Sequence, residues 1–122
     1  MSLPTDDQTV LLLHNPRCSK SRATLALLEE RGIAHETREY LEHPLGAEEL
    51  AELAVRLGKP AIAWTRTRET AFAEAGLAAD ASDADVFAAM AAHPILMERP
   101  IVVRGQRAAI GRPPEGVLAL FE

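Results

Sequence analysis

The chain has 122 residues, enough to close one hydrophobic core of ordinary size. Apolar residues make up 48% and charged residues 25%, a globular rather than a disordered composition. The formal net charge of -5 excludes the broad basic surface on which non-specific nucleic-acid binding draws, and it argues against a membrane surface as partner.

No apolar run approaches the roughly 20 residues needed to span a bilayer. The opening "MSLPTDDQ" has neither the basic flank nor the apolar core of a signal peptide and reads as a frayed tail. A single cysteine permits no internal disulfide, so a cytoplasmic protein is expected.

"TVLLLHN" is a short apolar run that meets Pro16 too soon to be a helix, and it fits a strand buried on both faces. "CSKSRATLALLEERG" predicts a helix beginning near Cys18, with Leu25 and Leu28 on one face and Gly32 placed to end it. "IAHETREYL" reads as a second strand, because a strand–helix pair usually continues to a parallel strand. After the turn cluster "HPLG", the segment "AEELAELAVRLG" puts Leu50, Leu53 and Leu57 on one helical face and stops at Gly58.

Residues 60–81 are expected to form short helical pieces, with a break at Gly76. In "SDADVFAAMAAHP", Ser82 is the expected N-cap, acids fill the first turn, and Pro94 follows the end. "RPIVVRGQRAAIG" predicts a hairpin with arms Ile101–Val103 and Arg107–Ile110 and Gly105 in the turn. "RPPEGVLALFE" opens a final helix with proline in its first turn. The order β-α-β, helical block, β-β-α belongs to the α/β class and matches the thioredoxin-like fold. That fold is a small mixed four-stranded sheet with helices on both faces. One domain over residues 1–122 is expected, with a helical insertion at about residues 46–93.

The lone thiol, Cys18, sits among Arg17, Lys20 and Arg22 at the start of a predicted helix, where the strand before it ends. Ligands of such sheets gather at the carboxyl ends of the strands. The thiolate is the nucleophile, and a free cysteine has a pKa of about 8.5. Helix N–H groups and nearby cations favour the thiolate and also favour an oxyanion beside it. A lone cysteine is more often an apolar filler, but a position after Asn-Pro and crowded with cations weighs against that.

Three reactive readings compete. Thiol–disulfide catalysts usually carry Cys-x-x-Cys, and here the fourth position is Ser21. Cysteine phosphatases place an arginine six positions after the cysteine, and here that position is Thr24. A thiolate that attacks an oxyanion and relies on an outside thiol to finish fits best. Arg66, Arg99 and Arg112 bear on this choice. Arg99 precedes the first hairpin arm and Arg112 follows the second, so a thioredoxin-like sheet can turn both toward the Cys18 loop. Arginine suits a planar fork around a tetrahedral oxyanion. Taken singly, each of the three is better read as a solvated charge.

"HNPRCSKSR", "HPILMERPIVV" and "IGRPP" together carry a resemblance to the glutaredoxin-dependent arsenate reductases of the short bacterial chromosomal type, extending from about Val10 to Phe121. The resemblance implies that Cys18 attacks arsenate as catalytic nucleophile, that glutathione is the co-substrate with no bound cofactor, and that glutaredoxin resolves the intermediate as arsenite leaves. It implies that Arg66, Arg99 and Arg112 bind the oxyanion, and that His14, Ser21 and Arg22 support the cysteine loop. It also implies a cis Arg99–Pro100 bond. A monomer is expected, with no metal, nucleic acid or membrane partner.

His35, His43 and His93 lack metal-ligand spacing. Trp64 and Phe72 read as packing, and the pairs Glu29–Glu30 and Glu48–Glu49 as solvated helix faces. Two alternatives stay open. One is another glutathione-linked thiol oxidoreductase on this scaffold. The other is a non-catalytic regulator of this fold that binds RNA polymerase, although such proteins commonly carry the Cys-x-x-Cys that Ser21 breaks.

Overall fold

Strand β1, Val10–His14, runs through the middle of the sheet, and all five of its residues are buried. In this computed structural model, which describes residues 3–122, β1 pairs in parallel with β2, Glu36–Glu39, and antiparallel with β3, Ile101–Arg104. Strand β4, Arg107–Ile110, closes the hairpin with β3, giving the order β2-β1-β3-β4. This is the mixed four-stranded α/β sheet expected from the element order.

The chain divides into two compact units, Met1–His43 with Arg99–Glu122, and Pro44–Glu98. The first holds the whole sheet. Helix α1, Ser19–Glu30, and a final helix, Pro114–Phe121, pack against one face. Their contact centres on Val10, Leu12, Val102, Leu28, Val117 and Leu120. Each such buried aliphatic side chain is worth about 1.5–3 kcal/mol. The residues of the opposite face, Leu11, Leu13, Ile101 and Val103, are buried as well, which is why β1 reads as an unbroken apolar run.

Helix α1 ends where the sequence indicated. Gly32 takes φ +67, its N–H donates to the Glu29 carbonyl at 3.0 Å, and Ile33 N–H donates to the Leu28 carbonyl at 2.9 Å. The final helix differs from expectation in its pitch, being a 3-10 helix over Pro114–Phe121. Pro113 and Pro114 have no N–H to give. The first internal bond is from Gly116 N–H to the Pro113 carbonyl, three residues back, and it sets the tighter winding.

The N-terminal segment also departs from the frayed tail expected for it, from Leu3 onward. Leu3 is buried, and the Asp6 carboxylate accepts the N–H groups of Gln8 and Thr9, each at 2.8 Å. Arg104 Nε donates to the Asp7 carbonyl at 3.0 Å, while its Nη1 donates to the Leu120 carbonyl at 2.6 Å. One side chain of β3 therefore ties down both ends of the chain. Met1 and Ser2 lie outside the described residues.

The second unit contains α2, Ala47–Leu57, α3, Thr70–Glu74, and α4, Asp83–Ala92, with 3-10 turns at Ala61–Trp64 and Pro94–Leu96. Leu50 and Leu53 of α2 are buried, Leu57 only partly. Ser82 caps α4 as expected, its Oγ accepting the Asp85 N–H at 3.2 Å. Glu49 is a cap rather than a merely solvated charge: its Oε1 accepts the Gly46 N–H at 3.3 Å. Among the described residues, no helix is long and apolar enough to cross a membrane.

Gly111 leads from β4 to Arg112 and donates its N–H to the Pro100 carbonyl at 2.9 Å. A Cβ there would lie 2.6 Å from Thr24 Oγ1 and 2.7 Å from Pro100 Cγ. The proline ring cannot swing aside. Gly111→Ala is expected to cost about 1–3 kcal/mol, the usual penalty for overpacking, seen as a lower urea midpoint at unchanged m-value.

Candidate active site

The end of β1 hands the chain to a tight loop, Asn15–Arg17, and Cys18 then serves as N-cap of α1 in extended geometry, φ -94 and ψ 125. The loop is shaped from within. Cys18 N–H donates to the Asn15 carbonyl at 3.0 Å, and Arg17 N–H donates to Asn15 Oδ1 at 3.0 Å. From the first turn of α1, Arg22 Nη1 reaches back to donate to the Pro16 carbonyl at 3.0 Å. Arg22 therefore supports the loop through its backbone. Asn15, which sequence reasoning passed over, anchors it from the other end. The signal available was its position before Pro16, where an asparagine favours a side-chain-closed turn.

Ser21 lies fully buried beneath the loop. Its Oγ accepts the Asn15 N–H at 2.9 Å and shares a hydrogen bond of 2.6 Å with His14 Nδ1. Burial lowers the His14 pKa below its ordinary value; Glu39 acts the other way, and Arg22 lowers it further. His14 is therefore the neutral imidazole at neutral pH. Because the folded protein disfavours the imidazolium, His14 contributes stability above its ordinary pKa of about 6.5 that is lost as the pH falls below it.

Cys18 itself is 9% exposed. Burial raises its thiol pKa, yet the net direction is downward. The N–H groups of Ser21 and Lys20 at the open end of α1 outweigh the burial together with the charge and hydrogen bond of Arg99. Arg112 stands on the same sulfur: its Nη2 donates toward Sγ at 3.7 Å, and its Nε donates to the Arg99 carbonyl at 2.7 Å. The Arg99–Pro100 peptide is cis, as the resemblance implied, and so is Arg112–Pro113, which sequence reasoning did not foresee. Helix N–H groups and two guanidinium groups thus surround one sulfur and favour its thiolate form. An oxyanion would meet the same donors there.

The structure brings Cys18, His14, Ser21, Arg22, Arg99 and Arg112 together in the first unit. Arg66 belongs to the second unit, where Glu69 Oε1 holds its Nη2 at 2.6 Å and the Ile95 carbonyl accepts from its Nη1 at 3.3 Å. Among the described residues, no three His, Cys, Asp or Glu side chains are grouped to hold a metal ion.

Two outcomes test this account of the loop. The pH profile of Cys18 alkylation by iodoacetamide is expected to have its midpoint below about 8.5, and Arg99→Gln is expected to move it upward. Ser21→Ala leaves a buried N–H without its acceptor and is expected to cost about 1–3 kcal/mol in a urea melt.

Comparison with known proteins gives the family. The ArsC family model matches residues 13–120. The arsenate reductase of Neisseria meningitidis serogroup A is 45% identical over 114 residues, 92% of this chain and 97% of that protein. The uncharacterized protein YfgD of Escherichia coli K12 is 47% identical over 113 residues, 91% of this chain and 95% of that one. Among solved structures, the arsenate reductase from Vibrio cholerae superposes with a TM-score of 0.87 at 49% identity, covering 92% of this chain and 97% of that one. The match runs through the cysteine loop, the hairpin and the arginines at its two ends, so the chain belongs to the ArsC family.

Proposed function

We propose that the protein reduces arsenate to arsenite, with Cys18 as nucleophile and glutathione and glutaredoxin as the source of electrons. The observation that carries this reading is the Cys18 sulfur at the N-terminus of α1, with Arg112 donating toward it at 3.7 Å and Arg99 favouring its thiolate form. Support for the substrate comes from the relatives named as arsenate reductases.

The chemistry follows from the donors. Arg99 and Arg112 draw in the oxyanion and spread its charge over planar forks. The Cys18 thiolate forms a sulfur–arsenic bond while one arsenate oxygen leaves as water. Glutathione displaces a second oxygen, again as water. A glutaredoxin thiolate then attacks the glutathione sulfur; the sulfur–arsenic bond breaks and leaves its electron pair on arsenic, while the two sulfurs join as the mixed disulfide. Arsenic falls from the pentavalent to the trivalent state, takes up water and leaves as arsenite, which returns Cys18 as thiolate. In sum, one arsenate and two thiols give one arsenite, one disulfide and one water.

An outside thiol is required because Cys18 is the only cysteine and Ser21 occupies the place of a resolving one. His14 and Ser21 act as positioning residues, holding the loop so that the N–H groups of α1 stay aimed at the sulfur. Arg66 enters as a third oxyanion ligand through the family resemblance. The nucleophile, Arg99 and Arg112 come from one chain, so a monomer suffices. Dependence on glutathione places the reaction in the cytoplasm, where that thiol is kept reduced.

The test is a coupled assay that follows NADPH oxidation with arsenate, glutathione, glutaredoxin and glutathione reductase. Arsenate-dependent turnover is expected, and Cys18→Ser is expected to abolish it. Arg99→Lys should lower kcat/KM for arsenate by about tenfold or more, since an ammonium cannot reproduce a bidentate fork. Turnover that survives in Cys18→Ser would overturn the mechanism. Equal turnover with thioredoxin in place of glutathione and glutaredoxin would overturn the electron source alone.

A further inference from the structure

The parallel strands β1 and β2 end side by side, His14 opposite Glu39. Just beyond their carboxyl ends lies a cavity of about 190 Å³, walled by His14, Pro16, Arg17, Glu39, Leu41 and Glu42, among others. Crevices at this end of a parallel pair are where ligands of such sheets bind. Nothing in the mechanism above uses it, yet Arg17 on its wall is the chain neighbour of Cys18.

The lining specifies a chemistry. The wall includes two acidic residues, Glu39 and Glu42, and one basic residue, Arg17, together with the apolar Pro16 and Leu41. The side chains of Arg17 and Glu42 take part in no hydrogen bond or ion pair among the described residues. Two carboxylates repel arsenate, so this is no second oxyanion site. A metal ion finds no three side chains grouped to hold it among the described residues. A group with one ammonium and one carboxylate fits both signs at once. The volume is below the roughly 300–1,000 Å³ of ordinary small-molecule sites, so it suits one amino-acid-sized end of a ligand.

We infer that this cavity is the subsite for the zwitterionic γ-glutamyl end of glutathione, with its ammonium at Glu39 and Glu42 and its carboxylate at Arg17. From there the ligand's own cysteine is about two residues away, a reach of about 7 Å when extended. Arg17 on the cavity wall adjoins Cys18 in the chain, so a ligand seated here begins beside the cysteine loop. The inference rests on glutathione being the co-substrate. It gives that thiol a seat separate from the cations that hold the oxyanion.

The probe is S-methylglutathione, which cannot react, titrated into the full chain and followed by backbone amide shifts. Shifts are expected at His14, Arg17, Leu41 and Glu42. Glu42→Gln and Arg17→Gln are each expected to weaken binding by about threefold to tenfold, with thermal melting confirming that both variants fold. An analogue lacking the α-amino group should bind wild type more weakly and lose nothing further in Glu42→Gln. Equal affinity in all variants, or shifts confined to other surfaces, would overturn the subsite. So would free glutamate binding as tightly as S-methylglutathione, since the cavity would then be a site for amino acids at large. The coupled arsenate assay on wild type separates the two readings. Turnover without S-methylglutathione binding here overturns the subsite and leaves the reductase standing, whereas binding here without arsenate turnover supports the subsite and overturns arsenate as substrate.

Discussion

One guanidinium joins the two halves of the nucleophile's surroundings. Arg112 donates to the Arg99 carbonyl at 2.7 Å and toward the Cys18 sulfur at 3.7 Å. It therefore ties the ends of a hairpin to the beginning of a helix far away in sequence. Without Arg99 and Arg112, the N-cap sulfur would keep chiefly the peptide N–H groups at the mouth of α1. A helix terminus alone supplies a modest stabilisation of an anion, about 0.3–1 kcal/mol when exposed. A charge-assisted hydrogen bond in a partly buried setting is roughly twice as strong as a neutral one. The arginines at the hairpin ends supply what the helix alone does not.

Burial and charge oppose each other at Cys18, and the outcome is functional. A sulfur that is 9% exposed would ordinarily stay protonated. Here the N–H groups of Ser21 and Lys20 and the Arg99 side chain reverse the direction. The result is a largely buried sulfur whose thiolate form its neighbours favour. Beneath it, His14 and Ser21 form a neutral buried support. A positively charged imidazole there would add to the local field, but its desolvation cost prevents it.

The sheet explains why these groups meet. Strand β1 lies between a parallel and an antiparallel neighbour. Its carboxyl end, His14, thus lies near the carboxyl end of β2 and the amino end of β3. The first brings Glu39 beside His14; the second brings Arg99, just before Ile101, beside the loop. The hairpin returns Arg112 to the same edge after β4. Gly111 makes that return possible, because any side chain there would collide with the Pro100 ring.

Local signals in the sequence determined much of this. An apolar run that meets proline made β1, a cysteine before a helical pattern made an N-cap, and Ser82 followed by acids made the start of α4. The arginines before and after the hairpin could be named, though nothing local distinguished them from solvated charges. Other features depended on partners distant in the chain. By local reading Arg22 was one more charge beside the thiol; its support of the loop came from the resemblance, and the fold supplies the contact, on the Pro16 carbonyl. The opening residues looked frayed because their partner, Arg104, lies 97 positions on. The final helix read as an α-helix by composition, but two prolines without donors made its first bond a three-residue closure. Capping and periodicity act between neighbours and are written in order along the chain. The field around Cys18 comes from strand ends that only the tertiary structure brings together, because Coulombic and hydrogen-bond energies depend on distance in space and not on separation in sequence.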